Sequence, residues 1–198
     1  MKVPVVGPSV KGAIFQMAVE AVKQAVGAGQ ISREEVELQL EAEDIRFLDE
    51  KILVGRWYPV DTFDRLVQLT GGRAATEDPN YLVRRGRKAA NQVLGNQIYG
   101  HFNETIEERG DQGGASVLTL AQLMMNFSRW ELLPYRNGDA SHFVIRVTEA
   151  GPMPDVLRYT AQGFIERVAE LMIGGPMQVT SERPTLDQLT FIGHPAEA

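Results

Sequence analysis

The chain reads as an α+β protein, with N-terminal helices packed with a four-stranded antiparallel sheet built in the order hairpin, helix, hairpin. Three observations predict this. Asn137-Gly138, a pair suited to a type I′ turn, sits between two runs of strand-like residues. A helical pattern from about Asp155 to Ile173 follows, closed by Gly174-Gly175. A second pair of short strands then brackets Pro184, with Met177 and Val179 alternating in one and Leu186, Leu189, Phe191 and Ile192 in the other.

The elements follow in order. Ser9 is placed to cap a first helix whose apolar face is Ile14, Ala18, Ala21 and Ala25, widened by Phe15, Met17 and Val22 and ending near Gly27 and Gly29. Ser32 and Glu35 form a capping box, opening a short acidic helix to about Glu43, with a second helical piece over Ile45 to Lys51. Ile52 to Tyr58 is mixed, and Pro59 breaks it. Asp61 should cap a helix carrying Phe63, Leu66, Val67 and Leu69 that stops at Gly71-Gly72. A loop from Arg73 to Asn80 contains Asp78-Pro79, an N-cap and first-helical-position pair. The longest helical pattern runs from Tyr81 to about Glu108, with small residues Gly86, Ala89 and Ala90 that allow close approach of another helix. A further helix covers Ala115 to Phe127, and strands from Trp130 to Tyr135 and around Phe143, Ile145 and Val147 flank the Asn137-Gly138 turn. Pro134 marks the first of these as an edge strand or ends it early. The 198 residues suit a single domain, 1–128 mainly helical and 129–194 a sheet with a crossing helix.

Composition excludes several classes of function. There is no cysteine, which removes disulfides, thiolate zinc sites and cysteine nucleophiles together. A net charge of −6 argues against nucleic acid or anionic lipid as a partner for the whole surface. No apolar run approaches the ~18 residues that would span a bilayer, and the proline-broken start from Met1 to Pro8 is too short for a secretory segment. The expected location is the cytoplasm.

No catalytic constellation stands out. His101, His142 and His194 share no metal-ligand spacing. His101 could ligate haem iron from a helix, but a half-buried or surface histidine is the commoner role of such a residue. Arg84, Arg85, Arg87 and Lys88 could grip a phosphate, yet read more simply as a solvated helix face. The glycine pairs follow helices and match no phosphate loop or dinucleotide fingerprint. Ser141 and His142 would point to opposite faces of a strand. Trp57, Tyr58, Phe63, Tyr99, Phe102, Met124, Met125, Trp130, Phe143, Tyr159 and Phe164 are ordinary core material that could also line an apolar cavity. Of these, Trp57, Tyr99, Trp130, Tyr159 and Phe164 are the candidate ligand-binding set.

Several short segments carry a family resemblance. Val10-Lys11-Gly12, Trp57-Tyr58-Pro59 before Phe63-x-x-Leu66, and Arg85-Gly86-Arg87 resemble an uncharacterised bacterial family present in multiple copies in myxobacteria. The run from Phe143 to Phe191, with Gly163-Phe164-Ile165-Glu166 inside its helix, resembles the same family, and is similar to vinyl-reductase-like (4-vinyl reductase) domains and to the haem-NO-binding sensor fold. The resemblance implies a ligand-binding or signalling module, often dimeric. Two departures bear on cofactors. Vinyl-reductase-like domains commonly carry cysteines near the last hairpin, and Ser181 to Phe191 has none. Haem sensors of the wider group carry a Tyr-x-Ser-x-Arg motif for the propionates, of which Tyr159-Thr160-Ala161-Gln162-Gly163 keeps only the tyrosine. The expectation is therefore a non-enzymatic, cofactor-free sensing or adaptor domain. It would bind a small apolar ligand or a signalling partner, or act as a dimerisation module through Leu123, Met124, Met125 and Phe127.

Overall fold

The computed structural model describes residues 7–94, 118, 121–133 and 142–196. The Asn137-Gly138 turn, Pro134, Tyr99, His101 and Phe102 lie outside the described residues. The chain divides into two compact units, one comprising residues 1–79 with 124–126, the other residues 80–123 with 127–198.

The first unit opens with β1 (Ser9–Lys11), followed by α1 (Gly12–Gly27), α2 (Arg33–Gln39), α3 (Ala42–Asp49), β2 (Trp57–Pro59), α4 (Val60–Gly71) and α5 (Arg73–Glu77). β1 pairs antiparallel with β2, Val10 opposite Tyr58, and Met125 bridges to Val10 from the other side. Ser9 is a strand residue, so the expected Ser9 cap is corrected: α1 begins at Gly12 without a side-chain cap. Main chain does the capping, because the Gly12 and Ala13 amides donate to the carbonyls of Arg56 and Val54 at 2.8 and 3.1 Å. Gly12 is required there, since a Cβ would stand 2.1 Å from the Leu53 carbonyl oxygen. The Ser9 amide instead donates to Asn126 Oδ1 at 2.7 Å.

The buried face of α1 is Phe15, Ala18, Val19, Val22 and Ala25, rotated so that Ile14 and Ala21 are only half-buried. Phe15 stacks on Tyr58 at 4.6 Å between ring centroids, and Phe47 meets both rings edge-on. The Ser32 capping box forms as expected: Ser32 Oγ accepts from the Glu35 amide at 3.1 Å, and Glu35 accepts from the Ser32 amide at 2.7 Å. Its helix stops at Gln39, however, and the next runs Ala42–Asp49, earlier than the expected Ile45 to Lys51. α4 starts at Val60 with Pro59 as its N-cap, so Asp61 is a first-turn acid near the positive helix end, not the cap. The expected loop from Arg73 contains the short helix α5.

The second unit holds α6 (Pro79–Leu94), β3 (Arg129–Leu133), β4 (Phe143–Thr148), α7 (Asp155–Ile173), β5 (Met177–Thr185) and β6 (Gln188–Pro195). Pro79 opens α6, the position where its missing N–H costs nothing. The four-stranded antiparallel sheet has the order β3-β4-β6-β5. Residues 121–124 are helical and Phe127 is not, so the helix expected to reach Phe127 ends at Met124. The last hairpin turns at Leu186-Asp187, not at Pro184, which lies inside the edge strand β5 beside a register shift between Glu182 and Thr185. Leu186 is consequently a turn residue, 84% exposed.

Alternation sets the two faces of the sheet. Trp130, Ile145, Val147, Val179, Leu189 and Phe191 are buried on one, while Arg129, Glu131, Arg146 and Thr148 are exposed on the other. Phe143 lies across Gly193, its ring filling the space a Cβ would occupy at 2.2 Å. α6 and α7 cross backbone to backbone. A Cβ on Gly86 would stand 2.0 Å from the Thr160 carbonyl oxygen, and one on Gly163 1.9 Å from that of Val83. α7 ends on Gly174 in the left-handed region at φ 75°, its amide donating to the Glu170 carbonyl.

Candidate functional site

Trp130 anchors the site that the second unit presents. The indole is 5% exposed, stacks on Phe191 at 5.6 Å between centroids, and donates from Nε1 to Ser128 Oγ at 2.9 Å. A groove of about 570 Å³ opens beside it, lined by Gln122, Ser128, Arg129, Trp130, Glu131, Arg146 and Thr148. Gln122 Nε2 donates to the Trp130 carbonyl at 3.1 Å, closing the main chain of β3 at that point. Arg129 pairs with Glu149 at 2.8 Å, and Arg146 approaches Glu131 at 3.8 Å. The groove thus sets two guanidinium groups and a carboxylate beside β3, on the sheet face opposite the buried Trp130 indole, a surface for a polar molecule or an extended peptide.

The remaining sequence candidates occupy other places. Trp57 belongs to the first unit, half-buried on β2, with Lys11 Nζ 3.8 Å from its ring centroid. It does not line that unit's groove of about 440 Å³, which is formed by Gln16, Val19, Glu20, Lys23 and residues 50–55. In the second unit Tyr159 lies under the Arg158 guanidinium and its hydroxyl accepts from Arg158 Nη2. Phe164 packs against Ala90, Leu94 and Val168. Trp130 therefore lines the groove without Tyr159 or Phe164, and Tyr99 is outside the described residues. Arg129, Arg146 and Thr148 were missed as site residues. Strand alternation could have found them, since it puts Arg129 and Glu131 on one face opposite Thr148 and Arg146.

The basic cluster on α6 resolves into separate roles. Arg87 donates to Glu166 at 2.6 Å and to Glu170 at 2.9 and 2.8 Å, so it is a half-exposed structural hub and not only a solvated charge. Burial pulls the Arg85 pKa down, with the charge and hydrogen bond of Tyr81 acting against it. Arg84 and Lys88 are exposed. Of the proposed dimer surface only Leu123 is exposed; Met124 and Met125 are core residues at 5% and 6%.

No family model matches the chain, and no curated protein matches it. Solved structures do. A single-residue mutant of an H-NOX protein from K. algicida, in the Fe(II) unliganded state, is similar at a TM-score of 0.64 with 14% identity, over 94% of this chain and 97% of that one. A mutant of T. tengcongensis H-NOX is similar at 0.60 with 11% identity, over 94% and 98%. An H-NOX protein from S. oneidensis in the Fe(II)NO state is similar at 0.59 with 14% identity, over 94% and 99%. At these identities the likeness is one of fold, and the chain has an H-NOX-like fold.

That fold raises the question of haem, and His101, the axial ligand that the sequence offers, lies outside the described residues. His142 and His194 stack on each other at 6.5 Å between centroids on neighbouring strands, on the sheet face opposite Trp130 and Phe191. Arg87 is taken by two carboxylates, and Arg183 donates to the carbonyls of Met153, Leu186 and Ala150, so neither cation is left for a propionate. None of the five tyrosines opens a Tyr-x-Ser-x-Arg motif.

Proposed function

We propose that this chain is a cytoplasmic, non-catalytic sensing or adaptor domain of bacterial signalling, which recognises a small apolar ligand or a protein partner without haem. The observation that carries the reading is the likeness to H-NOX proteins over 94% of the chain, one of them solved with NO on its iron. Kinship with the myxobacterial family, supported by the motifs around Trp57-Tyr58-Pro59 and Arg85-Gly86-Arg87, and with the vinyl-reductase-like domains, supported by the run from Phe143 to Phe191, is part of the same proposal. The groove beside Trp130 is the contact point favoured in the second unit, since it alone of the described cavities includes a candidate ligand residue. None of the described helices is long and apolar enough to cross a membrane.

The test uses the two tryptophans of the chain. Replacing Trp57 by Phe leaves Trp130 as the single indole reporter. Native mass spectrometry of the protein purified from cells, followed by titration of the retained molecule against Trp130 fluorescence, should show saturable binding and no Soret band after haem addition. A stoichiometric haem complex with an axial histidine would overturn the haem-free reading. Turnover that depends on a specific acidic or histidine side chain would overturn the non-catalytic one.

A further inference from the structure

An antiparallel sheet ends in two edge strands, and an edge strand offers its unpaired N–H and C=O groups to any other strand. β5 is one such edge. Near its start, Val179 turns its main chain away from β6 and onto α7. The Val179 amide donates to Glu166 Oε2 at 3.0 Å, and its carbonyl accepts from Gln162 Nε2 at 2.8 Å. Glu166 and Gln162 are one helical turn apart, which is the spacing needed to reach both groups of one residue. Each is held in turn: Arg87 donates to Glu166 Oε1 at 2.6 Å, and Ser181 Oγ donates to Gln162 Oε1 at 2.7 Å. Two polar helix residues are thereby spent on the backbone of a single strand position.

The same edge is blunted twice more. Pro184 sits inside β5, where it can donate no hydrogen bond, and the register shift between Glu182 and Thr185 bends the strand beside it. Pro176 precedes the strand at its other end. A proline near each end and the two helix side chains at Val179 shorten the length of β5 that is open to strand addition.

We propose that Gln162 and Glu166 form a guard over the β5 edge, and that without it this edge pairs with β5 of a second copy of the chain. A second copy is the occupant because an antiparallel edge is self-complementary about a two-fold axis. The outward residues Gln178 and Thr180 bring no charge to that axis, so among the described residues no like charges oppose pairing near Val179.

The absence of cysteine in the sequence makes the test clean. In the parent protein the Val179 amide should exchange with deuterium at least ~100-fold more slowly than an unstructured amide, as expected of a group paired in native structure. In the Gln162→Ala/Glu166→Ala variant that protection should fall at least tenfold in the dilute monomer, and the protein should become a concentration-dependent dimer by light scattering. An equimolar mixture of Thr180→Cys and Gln178→Cys forms of that variant, which face each other across the axis, should form an intermolecular disulfide that does not form in the parent background. Glu166→Gln keeps an acceptor oxygen for the Val179 amide and should remain monomeric, separating the hydrogen bond from the charge. A folded double variant that stays monomeric and uncrosslinked would overturn the proposal. Free exchange of Val179 in the parent would overturn it even if the double variant fails to fold.

Discussion

Each unit contains an arginine–carboxylate network, and the two are built on opposite plans. In the first unit the hub is an anion. Asp44, with its side chain 1% exposed, accepts from Thr62 at 2.6 Å, from Arg65 at 2.6 and 3.0 Å, and from the Glu41 amide at 3.1 Å. In the second unit the hub is a cation, with Arg87 between Glu166 and Glu170 while Arg167 adds a bond to Glu170 at 3.1 Å. Arg87 is 33% exposed and so shares its charge with water. The difference teaches where charge has to be matched by the protein itself: Asp44 has no access to solvent and depends on its donors, whereas Arg87 retains a second source of stabilisation.

The largest effect is therefore expected at Asp44. Asp44→Ala leaves Arg65 without its main acceptor, a buried Thr62 hydroxyl without a partner, and the first turn of α3 without its amide contact. Breaking a buried pair from one side costs about 3–5 kcal/mol, measurable by urea unfolding. Thr62→Val in the Asp44→Ala background should recover part of that loss, because it removes the stranded hydroxyl. A loss under about 1 kcal/mol would place Asp44 with ordinary surface acids.

The second network depends on a helix crossing as much as on charge. Gly86 precedes Arg87, and Gly163 lies three residues before Glu166, so the two backbone contacts set the reach of the ion pairs. Gly163→Ala puts a methyl 1.9 Å from the Val83 carbonyl oxygen and must push α7 off α6. The expected loss is about 3 kcal/mol, the upper end of overpacking, since a helix carbonyl has little freedom to yield. Arg87→Ala alone should cost about 1–2 kcal/mol and lose much of that cost in 1 M salt, where the screening length is about 3 Å. The double variant should cost less than the sum, because the spread helices have already loosened the pair. Strict additivity would separate the crossing from the network.

Most of the second unit was legible because its signals are local. Alternation in β4, Pro79 at the start of α6 and Gly174 at the end of α7 each depend on neighbours within a few residues. What failed depended on distant chain. Ser9 looks like a cap until the carbonyls of Val54 and Arg56 are seen to take that role for α1. Pro184 looks like a turn until β5 is known to be an edge, where a proline is tolerated. Asp44 was invisible as a network hub because its partners, Thr62 and Arg65, arrive from another helix. At the site, Trp130 was identifiable as a large aromatic on a strand, but the neighbouring groove is completed by Arg146 and Thr148 of β4, which only the β3–β4 register brings alongside.

The smallest expected effect is on acid stability, and it separates the networks by sign and slope. Burial works to raise the Asp44 pKa, but hydrogen bonds from Arg65, Thr62 and the Glu41 amide, with the Arg65 charge, outweigh it and hold the group below its ordinary 3.8. Burial likewise opposes the shift at Glu170, where bonds from Arg87 and Arg167 win and the pKa falls below 4.5. Both are carboxylates with folded pKa values under their unfolded ones, so each contributes stability that is complete above the unfolded value and lost as pH falls through the folded value. Unfolding free energy should thus be level above about pH 6, since both unfolded values lie well below it, and should decline below about pH 4.5. Glu170→Gln should flatten the start of that decline and Asp44→Asn its more acidic part, because protonation of unfolded Glu170 begins at the higher pH. High salt should erase the Glu170 contribution before that of Asp44, whose carboxylate meets no water. Equal salt sensitivity of the two slopes would show that both networks are solvated alike and remove the contrast between an anion-centred and a cation-centred hub.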